Sequence, residues 1–274
     1  MKKLFIIFSL TALLAGNALA GVVYEIETTD HEESPPKVES IEAAVEGRNI
    51  KMEIAPGSDN DDGEMIYRGD RREMILVDHK DKSYVVMDEE SMQRIAGQVG
   101  GLMSQIEEAL KNVPEDQRAI VEQMMKERMP QQQARAPRVK SEIKKTGESG
   151  TKNGFPCVKY NVFRGGKKIR ELWVTDWDNV EGGSDVVDIW NDMGEFYTEM
   201  LDAIPDFGQD NRGGDPAFVH MKELGGFPVV TKEFEDDGSL SDESGLRSAR
   251  RRTLDPADFE PPAGYKRRSM FPGG

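Results

Sequence analysis

The sequence predicts an α+β protein built on antiparallel sheet, and three observations carry that reading. Short segments alternate apolar and polar residues and are joined by links too short for parallel crossovers. The period switches to threes and fours after Glu89 and again after Ser184. A second set of alternating segments follows the first helical stretch, so strands and helices come in blocks.

The strands are read in order. Val22, Tyr24 and Ile26 alternate with Val23, Glu25 and Glu27, and Ile41, Ala43 and Val45 alternate with Glu42, Ala44 and Glu46. Ile50, Met52 and Ile54 alternate with Lys51 and Glu53, which gives each strand one apolar and one wet face. Turn chemistry separates them: "ESPPK" at 33–37, "EGRN" at 46–49 and the acidic "PGSDNDDG" at 56–63. The meander continues through "EMIYRG", "REMILVDH" and "KSYVVMD", with "RGDR" and "HKDK" as tight connections.

Met92, Ile95, Val99, Leu102, Met103, Ile106 and Leu110 then form the stripe of an amphipathic helix. A second helix follows Pro114, with Ile120, Val121, Met124, Met125 and Met129 on its apolar side. "PQQQARAPR" at 130–138 returns the chain to sheet through Val139, Ser141 and Ile143, then Val158, Tyr160 and Val162. "RGGK" at 164–167 predicts a hairpin, since two glycines accept the positive φ such turns need. Its return strand carries Leu172, Trp173 and Val174. A helix capped by Ser184 runs through Val186, Ile189, Trp190, Met193, Phe196, Tyr197, Met200 and Leu201. A helical turn over 218–224 and strands over 227–234 and 246–254 follow. The last residues are expected to fray. "RGDRREMIL" and "RGGKKIREL" echo each other, as a duplicated unit or as two hairpins of like geometry.

The first twenty residues have the parts of a secretory signal: Lys2 and Lys3, an apolar run from Leu4 to Leu14, and the small-x-small pattern Ala18-Leu19-Ala20. Cleavage is expected before Gly21, with residues 21–274 forming one domain. Leu14-Ala15-Gly16 is followed by Asn17 where a lipoprotein would carry its lipidated cysteine, so release into the periplasm is expected. No later run approaches a membrane span. The balance of 36 basic against 51 acidic residues gives a formal charge of −15, which argues against nucleic acid as a partner.

No constellation of residues points to catalysis. The chain has no Gly-x-Ser-x-Gly and no Gly-rich phosphate loop. The single cysteine, Cys157, lies in a strand-like run and reads as a small buried hydrophobe. His31, His79 and His220 have no metal spacing. Gly63, placed at the sixth position of a calcium loop, leaves Gly69 where a bidentate carboxylate is required. No metal and no cofactor is expected. "DFG" at 206–208 stands without the other kinase signatures, and "RGD" at 68–70 reads as a hairpin turn.

Two features remain. The methionines of the first helical stretch fit core gap-filling, a lid over a lipid-sized cavity, or thioether binding of copper(I), the last without a repeated spacing. Arg247, Arg250, Arg251 and Arg252, with Lys266, Arg267 and Arg268, fit cross-strand pairing or a site for a phosphate head group or acidic partner.

The order "NIKMEI", "GEMIYRGDRREMILVDHKDKSYVVMDEE", a Met-rich helix, "GFPCVKYNVFRGGKKIRELWVTD", "GFPVV" and "FEPPAGYKRR" resembles an exported bacterial family with a domain of unknown function. That family is similar to the periplasmic lipoprotein-carrier (LolA-like) superfamily. The resemblance implies a curved antiparallel sheet, an unclosed half-barrel, with amphipathic helices on its concave face; the long helical insert read at 89–130 departs from that pattern. It implies a soluble, non-catalytic periplasmic carrier of a hydrophobic ligand, either an acyl chain or a lipidated protein. Val22, Tyr24, Ile26, Met52, Ile54, Met103, Met124, Trp173 and Trp190 would then line the cavity. The alternative is an envelope-assembly module that meets a protein partner with its core packed shut; a cleft converging on His79 or His220 with carboxylates would instead point to an enzyme.

Overall fold

The computed structural model describes residues 21–53, 63–94, 97, 101, 141–203 and 217–269. Residues 1–20, where the signal is expected, the acidic loop through residue 62, Ile54, the loop at 205–215, the last residues and nearly all of the expected insert beyond Arg94 lie outside these.

The first meander runs β1 (Gly21–Asp30), β2 (Lys37–Glu46), β3 (Asn49–Glu53), β4 (Gly63–Arg68), β5 (Glu73–Asp78) and β6 (Ser83–Met87), after which residues 89–94 are helical. The second runs β7 (Glu142–Lys152), β8 (Phe155–Arg164) and β9 (Lys167–Thr175) into helix α1 (Gly183–Ala203). A 3-10 turn (Ala217–His220) leads to the one-turn α2 (Met221–Leu224), then β10 (Phe227–Phe234), β11 (Leu240–Arg252) and β12 (Lys266–Arg268). The strands form one sheet in the order β12-β6-β5-β4-β3-β2-β1-β11-β10-β9-β8-β7, so the two meanders join where β1 pairs antiparallel with β11.

The sheet is open and curved, an unclosed half-barrel with amphipathic helix on its concave face. The side chain of Asn153, in the turn between β7 and β8, donates to the Leu246 carbonyl at 3.0 Å and so reaches past β9 and β10 to β11. That contact passes over Gly245, where a Cβ would stand 2.9 Å from Asn153 Nδ2. A side chain at this strand position would displace the Asn153 amide from that contact. The "RGGK" turn has the expected geometry, with φ of 58° at Gly165 and 83° at Gly166.

Helix α1 buries Val186, Ile189, Trp190, Met193, Phe196, Tyr197 and Met200 against Val22, Tyr24, Val45, Ile50, Tyr67 and Trp173 of the sheet. Each such apolar side chain contributes roughly 1.5–3 kcal/mol. The helix starts at Gly183, so Ser184 lies in its first turn and is not its cap.

The wet face assigned to the first meander is corrected in part. Val23 and Ala44 share a second core with Ile66, Ile75 and Val77, covered by Leu254 and Phe259. Phe259 is carried by a 3-10 turn (Pro256–Phe259) that Asp255 closes with a capping box. The central strands are therefore buried on both faces. A third cluster, Val162, Ile169, Leu172 and Val174, takes Leu224 of α2. The last long strand begins six residues earlier than its apolar residues indicate, at Leu240, because the polar "SDES" pairs with β1 and β10 as the inner side of a long hairpin.

Candidate functional site

One row of side chains crosses the first three strands on the face that carries α1. Tyr24 of β1 stands opposite Ala43 of β2, and Ala43 opposite Met52 of β3. Ile26 lies two residues along the same face of β1. The alternation visible in the sequence puts these residues together.

Two β-bulges shape the other side. Glu25 pairs with Ser248 and Ile26 with Leu246, leaving Arg247 as the extra residue on β11. Pro228 pairs with Val174 and Val230 with Trp173, leaving Val229 as the extra residue on β10. A bulge re-aims side chains: Val229 becomes fully buried in the main core, and Leu246 comes to face Ile26. Pro228 suits a bulge, where its missing N–H breaks no regular ladder bond.

Between these strands and the helices lies an apolar cleft of about 140 Å³. Its walls are Tyr24, Ile26 and Met52, then Trp190 of α1, Phe218 and Met221 from the helical turn, and Phe227, Val229 and Leu246 from the bulged strands. Aromatic rings stiffen it. Tyr24 stacks on Phe227 at 5.3 Å between centroids, and Trp190 meets Tyr24 edge-on at 6.4 Å. Trp177 backs Phe227 at 5.7 Å.

Two polar atoms of this wall, Tyr24 Oη and Trp190 Nε1, are buried without a hydrogen-bond partner. An unmet buried donor costs about 1–3 kcal/mol. Burial pushes the Tyr24 phenol well above its ordinary range; the nearby Arg251 charge opposes this and Asp185 and Glu181 add to it. The hydroxyl stays neutral and keeps its proton.

Of the residues proposed from sequence, Tyr24, Ile26, Met52 and Trp190 line this cleft. Val22 and Trp173 belong to the same core but not to its wall. Val22 packs against Gly182, and Trp173 takes the ammonium groups of Lys152 at 4.3 Å and Lys159 at 5.6 Å over its ring. Ile54, Met103 and Met124 are outside the described residues. Phe227, Met221, Val229 and Leu246 were missed, although Pro228 inside the run at 227–234 marks the irregularity of β10.

The arginine strip is engaged by carboxylates. Arg247 bonds Glu27, Arg250 and Arg252 bond Glu42 at 3.2 and 3.0 Å, and Arg251 bonds Glu181 at 2.8 Å and also Asp185. These pairs are half-exposed, so water and salt screen them.

The histidines lie elsewhere. His79 places Nδ1 2.9 Å from Tyr265 Oη and Nε2 3.6 Å from Glu64, which Lys51 holds at 2.7 Å. His220 is buried at the end of the 3-10 turn, and Cys157 is buried, with desolvation raising its thiol above the ordinary value. Among the described residues no group of three or more His, Cys, Asp or Glu is placed to hold a metal ion, and no helix is long and apolar enough to cross a membrane.

No family model matches the chain, and no curated protein matches it. Its structure is similar to that of an uncharacterized conserved protein from Thermus thermophilus, at 7% identity and TM-score 0.44, over 92% of each chain. It is similar to PNGF-II at 9% identity and TM-score 0.38, over 91% of this chain and 31% of that one. It is also similar to a chain of the MucA/MucB complex of Pseudomonas aeruginosa at 10% identity and TM-score 0.33, over 90% of this chain and 56% of that one. The chain thus spans about a third and about half of the latter two.

Proposed function

We propose that this protein is a non-catalytic periplasmic binding protein that takes part of a hydrophobic ligand into the cleft beneath α1. The observation that carries the reading is the cleft itself, walled by Tyr24, Ile26, Met52, Trp190, Met221 and Phe227 and nearly free of polar groups. Such a void is favourable to fill with hydrocarbon. Among the described residues no cation lines it, so a carboxylate would enter without a partner.

Size decides how much of a ligand enters. At about 140 Å³ the cleft matches cavities of about 150 Å³ that accept benzene and falls below the roughly 300 Å³ at which whole-ligand pockets begin. It holds a ring or a short stretch of acyl chain, the remainder lying outside. The same size favours a second reading, in which an envelope protein inserts one apolar side chain as its anchor.

Native mass spectrometry of protein purified from its own periplasm, followed by organic extraction, separates the two. A co-purifying acyl species supports the carrier and names its ligand class. A clean apo mass, unchanged after incubation with phospholipid and fatty acid, moves the assignment to the protein anchor.

A further inference from the structure

The strand at one end of the sheet is held differently from the rest. β12 is three residues long, exposed and all basic, and it runs parallel to β6, pairing Lys266 with Ser83, Arg267 with Tyr84 and Arg268 with Val85. The other pairs of the sheet are antiparallel. Chain upstream of it is firmly seated: Phe259 is buried in the second core, and Glu260 bonds the buried Arg68. A turn from Pro262 to Tyr265, with Gly264 at φ 86°, then releases the chain into β12.

Besides its three-residue ladder to β6 and the packing of Tyr265 on the second core, three contacts hold β12. The Lys266 amide donates to the Lys82 carbonyl at 3.0 Å, Arg268 pairs with Asp81 at 3.0 Å, and Tyr265 Oη meets His79. Both ends of β6 present a carboxylate, Asp81 before it and Asp88 after it. Burial works to raise the Asp88 carboxyl, but hydrogen bonds from Ser91 and the charges of Arg267 and Arg94 outweigh it and hold the group below its ordinary value. The edge of β6 thus offers strand geometry between two negative charges, and the chain's own tail shows what fits there.

We infer that the β6 edge is a docking site for an extended, lysine- and arginine-rich segment of a partner protein, and that β12 is the chain's own strand keeping it closed. Strand addition to a free edge supplies backbone hydrogen bonds for affinity, and the flanking carboxylates select basic over acidic sequences. Closing the edge also protects it from indiscriminate pairing. This inference does not depend on the cleft.

The test uses the full chain and a release variant carrying Lys266→Pro and Arg268→Glu, which removes the amide donor and reverses the pair with Asp81. The probe is a fluorescent peptide of residues 264–269. A tethered strand competes at an effective concentration near the millimolar range, so the peptide should bind the variant about tenfold or more tightly than the intact protein. A peptide with glutamate at its three basic positions should not bind, and Asp81→Lys in the variant should weaken binding of the basic one several-fold. Hydrogen exchange should show the β6 amides losing protection in the variant, then regaining it with peptide. Equal binding of the acidic peptide, no binding to an exposed edge, or a β6 edge still protected in the variant would each overturn the inference. So would a wild-type dimer lost in the variant, which gives the edge to the tail of a second copy.

Discussion

Tyr67 Oη donates a hydrogen bond of 2.9 Å to Asp192 Oδ2, joining β4 to α1 across 125 residues of sequence. Arg48 at 3.2 Å and Arg72 at 3.1 Å share the same carboxylate, and Arg72 reaches on to Glu199 at 2.8 Å. The cluster ties the helix to β4 and to the turns that carry Arg48 and Arg72. Burial and the Asp192 bond together push the Tyr67 phenol well above its ordinary range, so it stays a donor.

Tyr67→Phe should therefore destabilise the protein by about 1.5–3 kcal/mol, the value of a bond to a charged acceptor. Asp192→Ala should cost more, since it also leaves a buried hydroxyl unmet. A double-mutant cycle by urea unfolding measures the coupling, and additive losses would show that the pair is not coupled.

Gly182 sits at φ 68°, and a Cβ there would stand 2.2 Å from Val22 Cγ2. Both backbone strain and overlap with a fully packed valine oppose any side chain. Gly182→Ala should cost about 2–4 kcal/mol, and pairing it with Val22→Ala should recover part of that loss in thermal unfolding.

Ile26 lines the cleft yet is only partly buried, so enlarging it fills the void without cutting the core. Ile26→Trp should weaken uptake of a hydrophobic probe by about tenfold or more, equivalent to about 1.4 kcal/mol, while the melting temperature stays near that of the parent. Unchanged uptake would place the binding site elsewhere.

Glu171 accepts from Trp173 Nε1 at 3.1 Å and pairs with Lys159 at 3.1 Å and Lys168 at 3.6 Å. Burial works to raise its carboxyl; the bonds from Lys159 and Trp173 and the two lysine charges prevail and lower it from 4.5. The unfolded group binds its proton first as pH falls, so this stabilisation is full above about 4.5 and disappears as pH drops through the lower folded value. Glu171→Gln should flatten the acid limb of the stability curve, read as urea midpoints between about pH 6 and pH 3.

Much of the fold was legible because period and turn chemistry are local. The alternation of Tyr24 with Glu25 and Ile26 with Glu27 located β1, the two glycines of "RGGK" located a hairpin, and the three-and-four spacing from Val186 to Met200 gave α1 its buried stripe. The strands of the first meander differ from expectation mainly at their ends. Val23 reads as solvent-facing because nothing nearby in sequence covers it; Leu254 and Phe259 do, from more than two hundred residues away.

The sequence by itself determined most of the described elements, the antiparallel run within each meander and the side chains on one face of each strand, since these follow from backbone period and steric preference within a few residues. Only the tertiary structure decided that Tyr24 meets Phe227 and Trp190, that two bulges turn Val229 and Leu246 toward Ile26, and that "KRR" near the end becomes a strand on β6. Those outcomes depend on register and curvature summed over the whole sheet. A slip of one residue reverses a strand's faces, and no local window contains the distant partner that prevents the slip.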